Sequence, residues 1–172
     1  MVWSGAFSAS LASVVPNPRD RRSPPGICQT ISAAAFKGKR VEYSLQMRTR
    51  DIDSGAHILL RAESASGRLV AFYNMYPPVG VGPITGTTPW TRHLVVIDIP
   101  ESANIIVLGV GMQYTGAVWI DDVELAIVGR TIPLTSPPSI WQHSNEPSDA
   151  TTFASELMNP DFEETMPRAP RP

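Results

Sequence analysis

The sequence predicts an all-β protein, a jelly-roll sandwich of about eight mostly antiparallel strands, and three observations carry that expectation. Apolar and polar residues alternate with a period of two from the start to about residue 128. No stretch carries an apolar stripe at helical spacing, and the short alternating runs are separated by turn residues. With 172 residues, 42% of them hydrophobic, the chain is long enough to fill one core.

The run from Arg40 to Thr49 is the clearest strand: Val41, Tyr43, Leu45, Met47 and Thr49 alternate with Arg40, Glu42, Ser44, Gln46 and Arg48. Such a strand buries one face and wets the other. Before it come Phe7 to Ser13 and Ile27 to Ala34, separated by a linker with Pro16, Pro18, Pro24 and Pro25 that no ladder accommodates. After it come Ala56 to Ser64, then Leu69 to Asn74 beyond the turn residues Ser66 and Gly67. Thr91 to Ile99, Asn104 to Met112 and Ala117 to Val128 complete the set.

Two segments break the rhythm. Met75 to Pro89 holds Pro77, Pro78, Gly80, Gly82, Pro83 and Gly86, and reads as a long loop of the kind that carries function. Residues 131–172 are rich in Pro, Ser and Thr and read as a tail or linker after a domain of residues 1–130, with one strand expected near 157–164.

Charge narrows the partners. The formal net charge is -2, and the part through Val128 holds 11 basic against 10 acidic residues, so no global field draws nucleic acid or an anionic membrane. Arg19, Arg21 and Arg22 cluster, but no helix-turn-helix pattern follows, and nucleic acid is disfavoured. No apolar run approaches the roughly 18 residues that span a bilayer. The N-terminus has small residues but no Lys or Arg before its apolar stretch, which reads as mature structure. The default location is cytoplasmic, with secretion open. The one cysteine, Cys28, follows Ile27 in a strand and is expected to be a buried, inert thiol, a reactive one being the alternative.

Catalytic constellations are missing. His57, His93 and His143 have no metal-ligand spacing, and His93 alternates with Thr91, Val95 and Ile97 as a histidine of a sheet face. Gly80-Val81-Gly82 and Gly109-Val110-Gly111 do not continue into a phosphate loop. Asp121 and Asp122 are strand neighbours and point to opposite faces, so they do not form a glycosidase pair. If Trp119, Val123, Leu125 and Ile127 define the core face, Asp121 lies on it and needs a hydrogen bond or a cation. Trp119 and Trp90 also read as core anchors. The expectation is a non-catalytic binding module.

Gln29-Thr30-Ile31-Ser32-Ala33, Phe36-Lys37-Gly38-Lys39-Arg40-Val41, Phe72-Tyr73-Asn74-Met75, Gly86-Thr87-Thr88-Pro89-Trp90, Val96-Ile97-Asp98-Ile99-Pro100 and Val118-Trp119-Ile120-Asp121-Asp122-Val123 occur in this order. The series resembles the bacterial galactose-binding-like jelly-roll domains, similar in pattern to carbohydrate-binding modules of families 4, 9 and 22 and to domains in proteins labelled transcriptional regulators. The resemblance covers roughly residues 5 to 135 and implies a module for carbohydrate or a related polyol. A structural or protein-interaction domain, meeting a protein partner or a tandem copy, is the alternative.

Such modules usually open with Asn-x-x-Phe-Glu. Here that pattern stands near the C-terminus, as Asn159-Pro160-Asp161-Phe162-Glu163. A C-terminal strand replacing the first one, a segment of a tandem array and a chance match in a tail are all open. The resemblance also implies a structural calcium, with Asp121 and Glu163 as its carboxylates. For Asp121 a capping hydrogen bond to loop amides and a catalytic role stand beside it. Sugar rings stack on aromatic rings while amides and guanidiniums bind hydroxyls. Tyr73, Asn74, Tyr76, Trp90 and Arg92, which bracket the long loop, are therefore the candidate ligand-binding residues.

Overall fold

The computed structural model describes residues 8–13, 26–75 and 82–135. Every helix or strand element among them is a strand: β1 (Ala9–Ser13), β2 (Gly26–Ser32), β3 (Arg40–Ser64), β4 (Leu69–Asn74), β5 (Ile84–Asp98), β6 (Ala103–Met112) and β7 (Gly116–Val128). All pairings are antiparallel. They form one hydrogen-bonded sheet that folds over itself along β3. The first half of β3 lies between β5 and β7, with β1 beyond β7. Its second half lies between β4 and β6, with β2 beyond β6.

The alternation in β3 does what its pattern demands. Val41, Tyr43, Leu45 and Met47 of the first layer meet Ile58, Leu60 and Ala62 of the second in one core, joined by Tyr73, Val95, Ile106, Leu108, Val110, Val118 and Ile120. Each is at most 2% exposed apart from Ile120 at 3%, so the two inner faces close on each other without a wet seam.

Two expected strands, Arg40 to Thr49 and Ala56 to Ser64, are one continuous strand of 25 residues. The break anticipated between them is a bulged corner: Asp51 has φ 52 and Gly55 φ 135, and the register to β5 shifts around Thr49 and Ile52. Asp and Gly tolerate that backbone region, so the strand bends without ending. The expected loop from Met75 to Pro89 is correspondingly shorter, because β5 begins at Ile84. Hydroxyls hold this irregular stretch. Thr49 Oγ1 donates to Gly86 O (3.0 Å) and receives the Thr88 amide (3.1 Å), and the Asp51 amide donates to Thr87 Oγ1 (3.0 Å).

A second bulge sits in β7. Ser44 opposes Glu124 and Gln46 opposes Asp121, so Leu45 alone faces the two residues Asp122 and Val123. Asp122 takes φ 50, and Asp121 Oδ1 accepts its amide at 2.8 Å. The bulge shifts the alternation by one: Val118 and Ile120 face the core before it, Val123 and Leu125 after it. Trp119 and Asp121 therefore leave the inward face that uninterrupted alternation assigns them.

Beyond β7 the chain runs along the outer edge of β5. The Val96 amide donates to Thr135 Oγ1 (2.8 Å), and Val96 O accepts the Thr135 amide (3.1 Å). Arg40 fixes the same segment, donating to the carbonyls of Arg130 (2.9 Å) and Ile132 (2.6 Å) while forking onto Asp98 (2.8 and 2.9 Å). The edge of β5 is thus covered at Val96, where it would otherwise offer unpaired backbone groups. The expected strand near 157–164 lies outside the described residues, as do Tyr76 and Glu163.

Candidate binding face on the first layer

The outward face of the first layer is assembled from β7, β3 and β5, side by side. Trp119 has Ser10 opposite it on one side and Arg48 on the other. The next row runs Asp121, Gln46, Arg92, and the next Glu124, Ser44, Leu94. Directly opposed residues in an antiparallel pair share a face, so these side chains stand on one side of the layer, where Asp121, Ser44 and Gln46 are buried. Trp90, two residues before Arg92 on β5, falls on the same face.

Trp119 is the aromatic centre of this surface, half-buried rather than a core anchor. The guanidinium carbons of Arg48 and Arg50 stand 5.2 and 5.4 Å from its ring centroid, within cation–π range. Alternation along β3 puts both arginines on the wet side of Thr49, which is fully buried. Arg92 is exposed and donates to Glu42 Oε1 (2.9 Å) and Ser44 Oγ (3.1 Å). Leu94 stands 42% exposed beside it. Two buried polar atoms of this region, Gln46 Oε1 and Trp90 Nε1, have no hydrogen-bond partner among the described residues. Unmet buried groups of this kind cost about 1–3 kcal/mol each.

The residues expected to bracket one ligand do not gather. Tyr73 opposes Leu60 in the core and is 2% exposed, with its phenol pKa raised by burial, so it offers no platform. Asn74 opposes Leu59 on the outward face of the second layer. Only Trp90 and Arg92 share a surface, and it is the one that holds Trp119. Tyr76 lies outside the described residues. The same face also brings together Arg48, Arg50 and Trp119, none of which was among the expected ligand-binding residues. Arg48 was visible as the wet side of the expected strand, whereas Arg50 lay beyond its expected end at Thr49 and Trp119 was hidden by the bulge.

Asp121 is fully buried, and its capping of the Asp122 amide answers the need of a carboxylate out of water. Among the described residues no group of three or more His, Cys, Asp or Glu stands together to hold a metal ion. Glu163, the other carboxylate expected of a calcium site, is not among the described residues.

The outward face of the second layer is different. Its rows are Asn74, Leu59, Gly109, Cys28, then Phe72, Arg61, Val107, Thr30. Ile105 and Val107 are 4% and 7% exposed, and Arg61 pairs with Glu63 at 2.9 Å. Cys28 is exposed rather than buried, because its place on β2 points it away from the core. Partial desolvation nonetheless raises the thiol pKa, with Arg61 opposing. His57 covers Gly111, and burial lowers its imidazole pKa. His93, opposite Leu45, is half-buried and its pKa is lowered for the same reason.

Comparison with known proteins defines the class. No family model matches the chain. Among solved structures, a family 16 carbohydrate-binding module, module 2, superposes with a TM-score of 0.50 at 11% identity, covering 72% of this chain and 79% of that one. TmCBM61, solved in complex with beta-1,4-galactotriose, gives 0.43 at 12% identity, covering 73% of this chain and 74% of that one. The fold is the jelly roll of carbohydrate-binding modules. In sequence, the chain is 32% identical over 129 residues to a Bacillus subtilis protein named as the uncharacterized HTH-type transcriptional regulator YbfP. The match takes 75% of this chain and 42% of that relative, so the chain spans less than half of the regulator's length. No helix among the described residues is long and apolar enough to cross a membrane.

Proposed function

We propose that this chain is a non-catalytic carbohydrate-binding module whose sugar site is the outward face of the first layer, centred on Trp119 with Trp90, Arg48, Arg50, Gln46 and Arg92 around it. The observation that supports this most directly is the β7 bulge. It turns a tryptophan that alternation would bury onto a polar surface beside two arginines. Aromatic rings flanked by planar hydrogen-bonding groups suit the C–H faces and hydroxyls of a sugar. The jelly roll of carbohydrate-binding modules is consistent with the reading.

The test is a glycan array probed with the purified chain, with calcium and with chelator, beside Trp119→Ala and Trp90→Ala. Selective binding that either substitution weakens about tenfold or more, at an unchanged melting temperature, supports the site. A blank array for the native chain ends the reading. The likeness to part of a transcriptional regulator favours a second reading, a protein-interaction domain within a larger regulatory assembly. A blank array together with binding to other segments of such a regulator would favour it.

A further inference from the structure

We infer that the first-layer face selects glycans bearing carboxylate groups, acidic polysaccharides of the uronate kind, an inference that rests on the sugar-binding reading above. Two like charges sit at one ring: the guanidiniums of both Arg48 and Arg50 lie within 5.4 Å of the Trp119 centroid. Three arginines of this layer are engaged inside the protein: Arg92 by Glu42 at 2.9 Å, Arg40 by Asp98 at 2.8 Å, and Arg48, which makes a contact of its own besides the ring. Arg50 is exposed and enters no ion pair among the described residues.

None of the acids near it in the chain or on this face forms an ion pair with it among the described residues. Asp51 accepts the Thr87 hydroxyl through Oδ1 at 3.2 Å. Asp121 accepts the Asp122 amide, and Glu124 belongs to a row beyond Gln46, opposite Ser44. A neutral sugar needs the ring and a few amide or hydroxyl partners. A guanidinium beside the ring adds a planar fork that matches a carboxylate in two parallel bonds. The same fork would receive a sulfate ester, so the experiment must separate carboxylate from sulfate and sugar from bare charge.

The experiment is affinity electrophoresis of the intact chain at about 0.15 M salt in gels holding polygalacturonate or alginate. Control gels hold their carboxyl-reduced counterparts, dextran sulfate or polyacrylate. At least one uronate polymer is expected to retard the chain at about tenfold lower concentration than its carboxyl-reduced form. Arg50→Gln should remove most of that tenfold difference, with Arg48→Gln acting in the same direction. A melting temperature within about 2 °C of wild type shows that each variant folds.

Equal retardation by the uronate and reduced forms overturns the inference and leaves the sugar-binding reading standing. So does stronger retardation by dextran sulfate, or binding to neutral array glycans with none to either uronate. Polyacrylate acting as strongly as the uronates would make the face a site for charge alone. No binding to any polymer or array glycan refutes both.

Discussion

Gly109 and Gly111 of β6 look equivalent in sequence, yet the structure predicts different costs for replacing them with alanine. A Cβ at Gly109 would run into the backbone of β2, against the Ile27 carbonyl oxygen and the Cys28 Cα at 2.9 Å, as well as Cys28 Sγ at 2.6 Å. Backbone in a ladder does not swing aside. The strand must shift, at an overpacking cost of roughly 1–3 kcal/mol, or open the pairing of Gly109 with Cys28 at about 1 kcal/mol for each bond lost. Neither position has a positive φ. Alanine therefore recovers about 0.4–1 kcal/mol by restricting the unfolded chain. The net loss for Gly109→Ala is about 1–2 kcal/mol, a fall of roughly 2–8 °C in melting temperature for a chain of this size.

At Gly111 the obstacle is the His57 imidazole, with Cε1 at 2.7 Å and Nε2 at 2.8 Å. A ring at the end of a side chain can rotate away, so the entropy gain nearly offsets the cost. Gly111→Ala should melt within about 2 °C of wild type. Exposing the ring should also raise the His57 pKa toward the ordinary 6.5, readable by NMR titration. Thermal melts of both variants, with the double variant Gly109→Ala, Cys28→Ala, decide the matter. If Gly111→Ala is as damaging as Gly109→Ala, or if removing the thiol restores full stability, the backbone contact is not what requires glycine at 109.

Two further outcomes probe the architecture. Asp122 holds φ 50 at the β7 bulge, where a β-branched side chain is strained by about 1–2 kcal/mol. Asp122→Val should therefore lower the chemical-denaturation midpoint while Asp122→Gly leaves it nearly unchanged; equal midpoints would remove the case for a built-in bulge. Asp98 carries a pKa held below its ordinary 3.8, first by the hydrogen bond from Arg40. A depressed acid contributes stability above its unfolded value and loses it as the pH falls through the folded one. The melting-temperature gap between wild type and Asp98→Asn should be open at pH 7 and close below pH 3.8, and a gap constant across that range would contradict the pairing.

The site and the fold were legible to different degrees. The strands of the core, the wet face of β3 with Arg48, and the absence of helical periodicity follow from a period of two, which is local information. The loop expected up to Pro89 failed because the Thr49, Thr87 and Thr88 hydroxyls carry strand pairing through a stretch that Gly86 and Pro89 mark as a breaker. Tyr73 was placed with the ligand because it neighbours the loop, while the register opposite Leu60 sends it into the core.

By itself the sequence determined that this chain is an all-β sandwich with a small net charge and an inward row at Val41, Tyr43, Leu45 and Met47, because alternation and composition act residue by residue. Only the tertiary structure decided which aromatic residue meets solvent. A one-residue bulge at Asp122 inverts every assignment made by counting across it, and the pairing of β7 with β3 reveals where that extra residue sits. The meeting of Trp119 with Arg48 and Arg50 has the same origin: these residues are some 70 positions apart in the chain and become neighbours through strand register, which local sequence does not encode.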